Sequence, residues 1–181
     1  MFDVFGEFNT IEELNRKAEE LKAEGKKEDI VRLATENGFE QYVADMFLDG
    51  EIPVLCPDPE DGALAKLAVE QKDLQTDGVI KDWVAYIEAQ CIGNMAMARA
   101  VRKKKKSLRG CLAGLLVYAL THQRPVDKKI LEMAEKSIKK DKIDLKKQAG
   151  MEPGWLQYTK VGIMDMGTAK DLIRKYYLGE E

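Results

Sequence analysis

Residues 10–25, TIEELNRKAEELKAEG, give the clearest helix signal in the chain and indicate a helical N-terminal region. Thr10 followed by Glu13 has the spacing of a capping box, in which two side chains satisfy backbone N–H groups at the start of a helix. Apolar side chains then recur at helical intervals, and Gly25 stands where the chain leaves a helix. The stretch therefore predicts a helix over residues 10–24.

The same periodicity recurs along most of the chain and predicts further short helices. Two of them end at Asn37-Gly38 and at Gly50, where the turn residues stand. Later helices are predicted at residues 63–75, 79–93, 94–101, 108–122, 128–140 and 168–177. The aromatic and β-branched residues that follow residue 150 lie among glycines and favour a short strand or hairpin; they are Trp155, Tyr158, Val161 and Ile163. We therefore expect a mainly α, multi-helix fold with at most a small β hairpin near the C-terminus.

One segment interrupts this helical pattern. Residues 51–62, EIPVLCPDPEDG, contain three prolines and one glycine in twelve positions, which is typical of a linker or long loop. The sequence therefore predicts an acidic helical module at residues 1–50 and a helical domain at residues 63–181. The domain includes a basic segment at residues 102–149.

Charge is strongly segregated along the chain, although the formal net charge is only -3. Residues 1–61 hold 17 acidic and 6 basic side chains, a net of -11, whereas residues 102–149 hold 15 basic and 5 acidic ones, a net of +10. An asymmetry of this kind bears on partners rather than on the fold. It indicates a protein that binds a charged macromolecule.

Several classes of protein are disfavoured by the sequence. The longest apolar stretch, residues 112–120, is about half the length of a membrane span. Asp3 and Glu7 stand where a secretory signal would carry basic residues. We therefore expect a cytoplasmic protein with no membrane partner, and the sequence predicts no particular oligomeric state.

The residues that carry most chemistry are few. Cys56, Cys91 and Cys111 are widely spaced and accompany a single histidine, His122, so that neither a zinc cluster nor a disulfide framework fits, and we interpret the three as reduced, buried thiols. The chain has no Gly-rich phosphate loop and no nucleophile elbow, and with 32 acidic residues any carboxylate spacing arises by chance. We predict no enzymatic activity, no catalytic residues, no metal and no cofactor.

The most concentrated feature is a basic block with six cations in eight residues. Such a block can neutralise several phosphates, so we predict nucleic-acid contacts there. The alternative is a solvated helix end that is stabilised by the helix dipole. The helix that follows is too apolar to lie in a DNA groove and is expected to be a core helix. The cations are Arg102, Lys103, Lys104, Lys105, Lys106 and Arg109.

The helix at residues 10–24 supplies the acidic counterpart. The acidic module to which it belongs could present carboxylates in place of phosphates in a basic channel of another protein, or could fold back onto the basic segment of its own chain, where exposed charge pairs would orient more than stabilise. A solubilising surface is the third interpretation. The candidates for partner binding are Glu12, Glu13, Glu19, Glu20 and Glu24.

Four stretches carry a resemblance to a known family: FGEFNTIEELN at residues 5–15, LATENG at 33–38, RKKKKSLRGCLA at 102–113 and AKDLIRKYYLG at 169–179. With them the chain resembles small proteins from mobile elements of Clostridium-type gut bacteria. It is similar to the broad-spectrum anti-CRISPR proteins that inhibit type II-A Cas9.

The resemblance implies a stoichiometric inhibitor that binds Cas9 with its guide RNA and impairs target DNA binding or cleavage. The basic segment would then contact guide RNA or target DNA. The alternative is a nucleic-acid-binding accessory or regulatory protein of a conjugative mobile element, which would act through the basic block without a CRISPR target.

Overall fold

The computed structural model describes residues 2–74, 76–149, 160–162 and 164–179, and these are mainly helical, which confirms the predicted fold class. The short strands β1 (Arg124–Pro125) and β2 (Lys160–Val161) form its two-stranded sheet. The helices within the described residues are α1 (Ile11–Ala23), α2 (Lys27–Glu36), α3 (Gln41–Asp49), α4 (Pro59–Lys72), α5 (Val79–Cys91), α6 (Met95–Arg102), α7 (Leu108–Thr121), α8 (Lys128–Lys140), α9 (Leu145–Ala149) and α10 (Met166–Leu178).

The N-terminus of α1 forms the predicted capping box. The Thr10 hydroxyl accepts a hydrogen bond from the Glu13 N–H at 3.2 Å, and the Glu13 carboxylate accepts one from the Asn9 N–H at 2.9 Å. These reciprocal bonds satisfy two donors that a helix start leaves open. The helix predicted at residues 10–24 is therefore confirmed.

The start of α4 differs from the prediction, because the helix begins at Pro59 and not at residue 63. The Asp58 carboxylate caps it by accepting a hydrogen bond from the Asp61 N–H at 2.9 Å. Proline is well tolerated in the first turn of a helix, since its missing N–H would have had no partner there. Pro59, which the sequence pattern assigns to a linker, thus opens the helix.

The chain divides into two compact units. The first comprises Met1–Leu115 together with Met166–Glu181, and the second comprises Leu116–Asp165. The predicted acidic module at residues 1–50 and the predicted boundary at residues 51–62 stay predictions.

In the first unit, α1, α2 and α3 share an apolar core to which the following loop contributes. Leu14, Ile30 and Phe47 are among its buried members. The loop is fastened by the side-chain amide of Asn15, which donates to the Cys56 carbonyl at 2.7 Å and accepts from the Cys56 N–H at 2.8 Å. These two hydrogen bonds satisfy the backbone N–H and C=O of Cys56, so that Cys56 can be buried in the core.

The second layer of the first unit consists of α4, α5, α6 and α10, in which α4 and α6 share the largest contact. Gly38 lets the end of α2 approach α4 closely: its φ is +87°, and a Cβ there would stand 2.1 Å from the Ala65 carbonyl oxygen. Only glycine combines this backbone conformation with this lack of space.

The three cysteines are free and buried, as the sequence predicts. Burial raises the pKa of the Cys56, Cys91 and Cys111 thiols to about 12. They are therefore protonated at neutral pH and behave as small apolar side chains.

The second unit contains the sheet, in which β1 and β2 are antiparallel and Arg124 pairs with Val161. The predicted strand near Val161 is thus present, whereas Trp155, Tyr158 and Ile163 lie outside the described residues. Within its described part the second unit also contains α8, which has no buried residue.

The helix α7 begins as the expected core helix, since Leu108, Cys111 and Leu115 are buried. Beyond Leu115, however, Val117 and Leu120 are each 59% exposed, so the expectation is wrong for the end of the helix. None of the helices in the described part of the chain is long and apolar enough to cross a membrane.

Candidate functional site

The basic block does not form a uniform surface, because its first member lies in the interior. Arg102 is the last residue of α6 and is only 2% exposed. Its guanidinium donates to the Asn37 side-chain oxygen at 2.6 Å and to the Gly62 carbonyl at 3.3 Å, and burial lowers its pKa. The structure therefore places Arg102 as a bridge between α2 and α4, away from the protein surface.

A second buried cation, Lys66 of α4, holds the loop that follows Arg102. Its Nζ donates to the carbonyl oxygens of Lys103 at 2.9 Å and Lys106 at 2.7 Å. The side chain is 1% exposed, and burial lowers its pKa. We name residues 103–107 the basic loop; this buried ammonium group fixes two of its carbonyl groups.

Two carboxylates complete the network under the basic loop. Glu70, one helical turn after Lys66, and Glu7 each lie 3.8 Å from its Nζ. Glu70 also accepts a hydrogen bond from the Leu108 N–H at 2.7 Å, at the start of α7. Burial raises the pKa of Glu70. A buried ion pair with further hydrogen bonds of this kind fixes geometry more than it adds stability.

The side chains of the basic loop divide into two groups. Lys106 is half-buried, donates to the Tyr176 carbonyl oxygen and lies over the Tyr176 ring with its Nζ 4.9 Å from the ring centre. The Tyr176 hydroxyl in turn accepts a hydrogen bond from the Ser107 N–H at 3.0 Å. The exposed members of the block are Lys103, Lys104, Lys105 and Arg109. The side chains of these four residues are accessible to solvent.

The acidic candidates on α1 are also unequal. Glu13 is occupied by the capping box, while Glu20 forms an ion pair with Lys17 at 3.2 Å and Glu24 forms one with Lys26 at 2.7 Å. Exposed ion pairs of this kind are worth little and are screened by salt. The carboxylates of Glu12, Glu19, Glu20 and Glu24 are all exposed, so they remain accessible to a cationic partner.

The two oppositely charged segments also come together at a cavity within the first unit. A cavity of about 390 Å³ lies where the N-terminus of α1 faces the C-terminus of α6. Its polar lining comes from Asn9, Thr10, Glu12, Arg99, Arg102 and Lys103, and Ile11 and Pro59 add apolar walls. The Lys104 N–H also donates to the Asn9 side-chain oxygen at 3.3 Å. The structure thus brings Glu12 to the edge of the basic block, although 90 residues separate Glu12 and Arg102.

Several residues of this region are missed by sequence reasoning. Lys66 and Glu70 carry a usable signal, because both lie among alanines, leucines and a valine in ALAKLAVEQ. Charged residues one helical turn apart in such a setting indicate a buried pair. Arg99 and Asn9 carry no comparable signal, since only tertiary packing brings them to the cavity.

The second unit presents a separate basic surface on α8. Its lysines at positions 128, 129, 136, 139 and 140 are exposed, and one of them, Lys139, forms an ion pair with Glu135 at 3.6 Å. Within the described residues there is no group of three or more histidine, cysteine, aspartate or glutamate side chains that could hold a metal ion.

Comparison with known proteins adds no assignment: no family model matches the chain, and neither a curated protein nor a solved structure is detectably similar to it.

Proposed function

We propose that this protein is a stoichiometric inhibitor of a type II-A Cas9 and acts in the cytoplasm as a binding protein without enzymatic activity. The proposal joins the sequence resemblance to one structural observation, the exposed carboxylates of α1. Cas9 holds its guide–target heteroduplex in a positively charged channel and reads the adjacent DNA motif with arginines. The exposed carboxylates of α1 are complementary in charge to both surfaces.

The exposed carboxylates follow one another along a capped helix. Glu12 lies in the first turn, Glu19 and Glu20 lie further along, and Glu24 caps the C-terminal end. Charged partners arranged in this way steer association and set specificity more than they set affinity. The acidic helix would therefore occupy a site that Cas9 otherwise offers to nucleic acid.

The basic loop gives the proposal its second contact. Lys103, Lys104 and Lys105 are exposed on a loop that Lys66 holds through two backbone carbonyls, and Arg109 is exposed in the first turn of α7 that follows it. In a ternary complex these cations would contact the guide RNA or the target DNA. This is an alternative route, which would retain the DNA while preventing its cleavage, whereas the acidic helix would exclude nucleic acid from its site.

The test is a gel-shift and cleavage assay with purified protein, Cas9 with guide RNA and labelled target DNA, including lanes without nuclease. Cleavage should fall as the protein is added, and free DNA should not shift. The variant E12Q/E19Q/E20Q/E24Q neutralises the exposed carboxylates of α1. It should weaken inhibition at least about tenfold, which is about 1.4 kcal/mol, because the charge contacts to the cationic surface of Cas9 are lost.

A matched control neutralises four exposed carboxylates elsewhere, E28Q/E40Q/D45N/D49N, and gives the same change in net charge. It should leave inhibition within about twofold of the parent protein, since surface substitutions away from an interface have little effect. An equal loss of inhibition in both variants would mean that the overall charge of the protein, and not the α1 surface, determines inhibition. Undiminished cleavage with the parent protein would refute the inhibitor proposal.

The exposed cations favour a second candidate, a nucleic-acid-binding accessory or regulatory protein of a conjugative element. The basic loop and α8 both present lysines to solvent. Such a protein should shift DNA or RNA without nuclease, with an affinity that falls steeply as salt rises. K103E/K104E/K105E should abolish that shift, and an unchanged shift would remove the basic loop from this alternative.

A further inference from the structure

The helix α8 is formed with little help from its neighbours. Within the second unit it shares no extensive contact with the other described elements, and none of its residues is buried. An isolated helix of about this length is only marginally stable in water, because most helices in proteins are stabilised by packing an apolar face. The stability of α8 must therefore come from local contacts, from a partner that covers it, or from both.

Local hydrogen bonds close α8 at both ends. The Asp127 side chain accepts a hydrogen bond from the Lys129 N–H at 2.8 Å. After the helix, the Ile143 N–H donates to the Ile138 carbonyl at 3.0 Å, and Lys142 has a φ of +50°. This is the arrangement of a Schellman motif, in which one left-handed residue lets the chain turn back and satisfy the last carbonyl groups. The helix is thus already formed when a partner approaches.

One flank of α8 combines apolar and basic side chains. Ile130 and Met133 are 61% and 63% exposed, and their spacing of three positions places them on one helix face. Lys129 lies four positions before Met133, Lys136 lies three positions after it, and Lys140 follows one turn later. All three lysines are exposed, so they border the apolar pair. We name these five residues the α8 patch.

The remaining side chains of α8 keep negative charge away from the apolar pair. Glu132 and Glu135 are one and two positions from Met133, and residues so spaced do not face each other on a helix. Glu135 also forms an ion pair with Lys139 at 3.6 Å. The α8 patch is therefore apolar and cationic, and its partner must be apolar and anionic.

The geometry of the α8 patch distinguishes between such partners. A helix that binds in a protein groove presents anchors over two turns, at i, i+3 or i+4 and i+7, whereas the exposed pair of large apolar side chains on α8 spans one turn. A second copy would bring lysines against lysines, because the same surface meets itself in a two-fold dimer. A surface of anionic lipids takes up single apolar side chains at the headgroup boundary and attracts the lysines around them.

We infer that α8 binds reversibly to an anionic lipid surface, with Ile130 and Met133 inserted among the headgroups and the lysines of the α8 patch at the lipid phosphates. Positive charge continues past the helix, since residues 128–147 hold eight lysines against four acidic residues. The expectation of no membrane partner rests on the lack of a spanning segment, and a helix that lies on the surface needs none. The inference is independent of Cas9 inhibition, because it concerns the second unit alone.

Flotation of the full-length protein with lipid vesicles tests it. Vesicles of phosphatidylcholine with phosphatidylglycerol should bind the protein at least about tenfold more tightly than vesicles of phosphatidylcholine alone, because each lysine near an anionic surface adds to the affinity. The affinity for the anionic vesicles should fall as salt rises. Equal binding to both kinds of vesicle would overturn the inference. No binding to anionic vesicles at millimolar lipid would overturn it in favour of a protein partner.

The apolar pair is tested with I130Q/M133Q, which should weaken binding to anionic vesicles at least about tenfold, since the inserted apolar surface is lost. The matched control is I92Q/M95Q in the first unit, where an isoleucine and a methionine with the same spacing are also exposed. It should keep the affinity within about twofold. All four side chains are exposed, so both variants should fold, which circular dichroism verifies. An equal loss of vesicle binding in both variants would overturn the inference.

The lysines are tested with two variants of the same helix that change the net charge equally. K129Q/K140Q removes two lysines of the α8 patch and should weaken vesicle binding at least about fivefold, whereas K128Q/K139Q removes two lysines outside it and should weaken binding by no more than about twofold. Equal losses would show general attraction between a basic protein segment and an anionic surface, and would overturn the α8 patch as the site.

The same variants identify the other possible partners. If K129Q/K140Q lost a shift of DNA while I130Q/M133Q bound anionic vesicles as tightly as the parent protein, α8 would contact nucleic acid and the inference would be overturned. If sedimentation equilibrium showed a dimer of the parent protein that I130Q/M133Q dissociates, the apolar pair would belong to a contact between two copies. That result would overturn the inference as well.

Discussion

The helices α4 and α8 have nearly the same length and similar numbers of charged residues, but they use their charges in opposite ways. In α4, eight of fourteen residues are buried, among them Lys66 and Glu70. In α8, no residue is buried and every lysine faces solvent. The charges of α4 position the basic loop, whereas those of α8 are available to a partner. The comparison shows that the positive charge of this chain has both a structural and a surface role.

The largest effect that this comparison predicts comes from removing the lysine of α4. Lys66→Ala deletes two hydrogen bonds to the basic loop and leaves Glu70 buried without its cation, so it should lower the free energy of unfolding by about 4 kcal/mol. Lys136→Ala on α8 should change it by less than about 0.5 kcal/mol. Urea unfolding followed by circular dichroism measures both, and similar costs for the two variants would break the comparison.

A smaller effect is predicted where α2 packs against α4. Gly38→Ala should cost about 3 kcal/mol, because the new Cβ meets the Ala65 carbonyl and the backbone has a positive φ. Gly25→Ala has a positive φ of +71° but open space around its Cβ, and should cost only about 1 kcal/mol. Thermal unfolding of the two variants separates the steric cost from the backbone cost. If Gly25→Ala lowered stability as much as Gly38→Ala, the close approach of Gly38 to α4 would make no contribution to the cost of the Gly38 substitution.

The smallest effect concerns the pH dependence of stability. Because burial raises the pKa of Glu70, the folded protein takes up a proton at this carboxyl more readily than the unfolded chain does. Glu70 therefore adds stability as the pH falls from its raised folded pKa towards the unfolded value near 4.5, and this contribution is lost as the pH rises.

Glu70→Gln removes that titration. The stability of the parent protein relative to Glu70→Gln should increase as the pH is lowered from 7 to 4.5, measured by urea unfolding at several pH values. A stability difference that stays constant or shrinks on acidification would mean that burial does not raise the pKa of Glu70 in the folded protein.

The sequence predicted those features that depend on neighbouring residues. The capping box at Thr10 and Glu13, the buried thiols and the helix at α8 all follow from local pattern. The predicted start of α4 is wrong because proline breaks a helix interior but is favoured in a first turn, and Asp58 beside Pro59 caps the helix. Local sequence is sufficient to locate this helix start, but the rule that proline ends helices competes with the rule that proline is favoured in a first turn.

Arg102 illustrates what local pattern cannot supply. In sequence it is the first of five consecutive cations, and nothing near it distinguishes it from the lysines that follow. Its burial depends on Asn37, which is 65 positions away, and on the Gly62 carbonyl. The cavity likewise joins residues 9–12 to residues 99–103, so it arises only from tertiary packing.

The central proposal is that the protein inhibits Cas9 by direct stoichiometric binding, and the most direct test is a cleavage titration at two concentrations of Cas9–guide complex with target DNA in fixed excess. A stoichiometric inhibitor predicts that the concentration of protein giving half-maximal cleavage rises in proportion to the concentration of Cas9. If the half-maximal protein concentration were independent of the Cas9 concentration and rose with the DNA concentration instead, the proposal would be contradicted. That result would identify a protein that acts on the DNA.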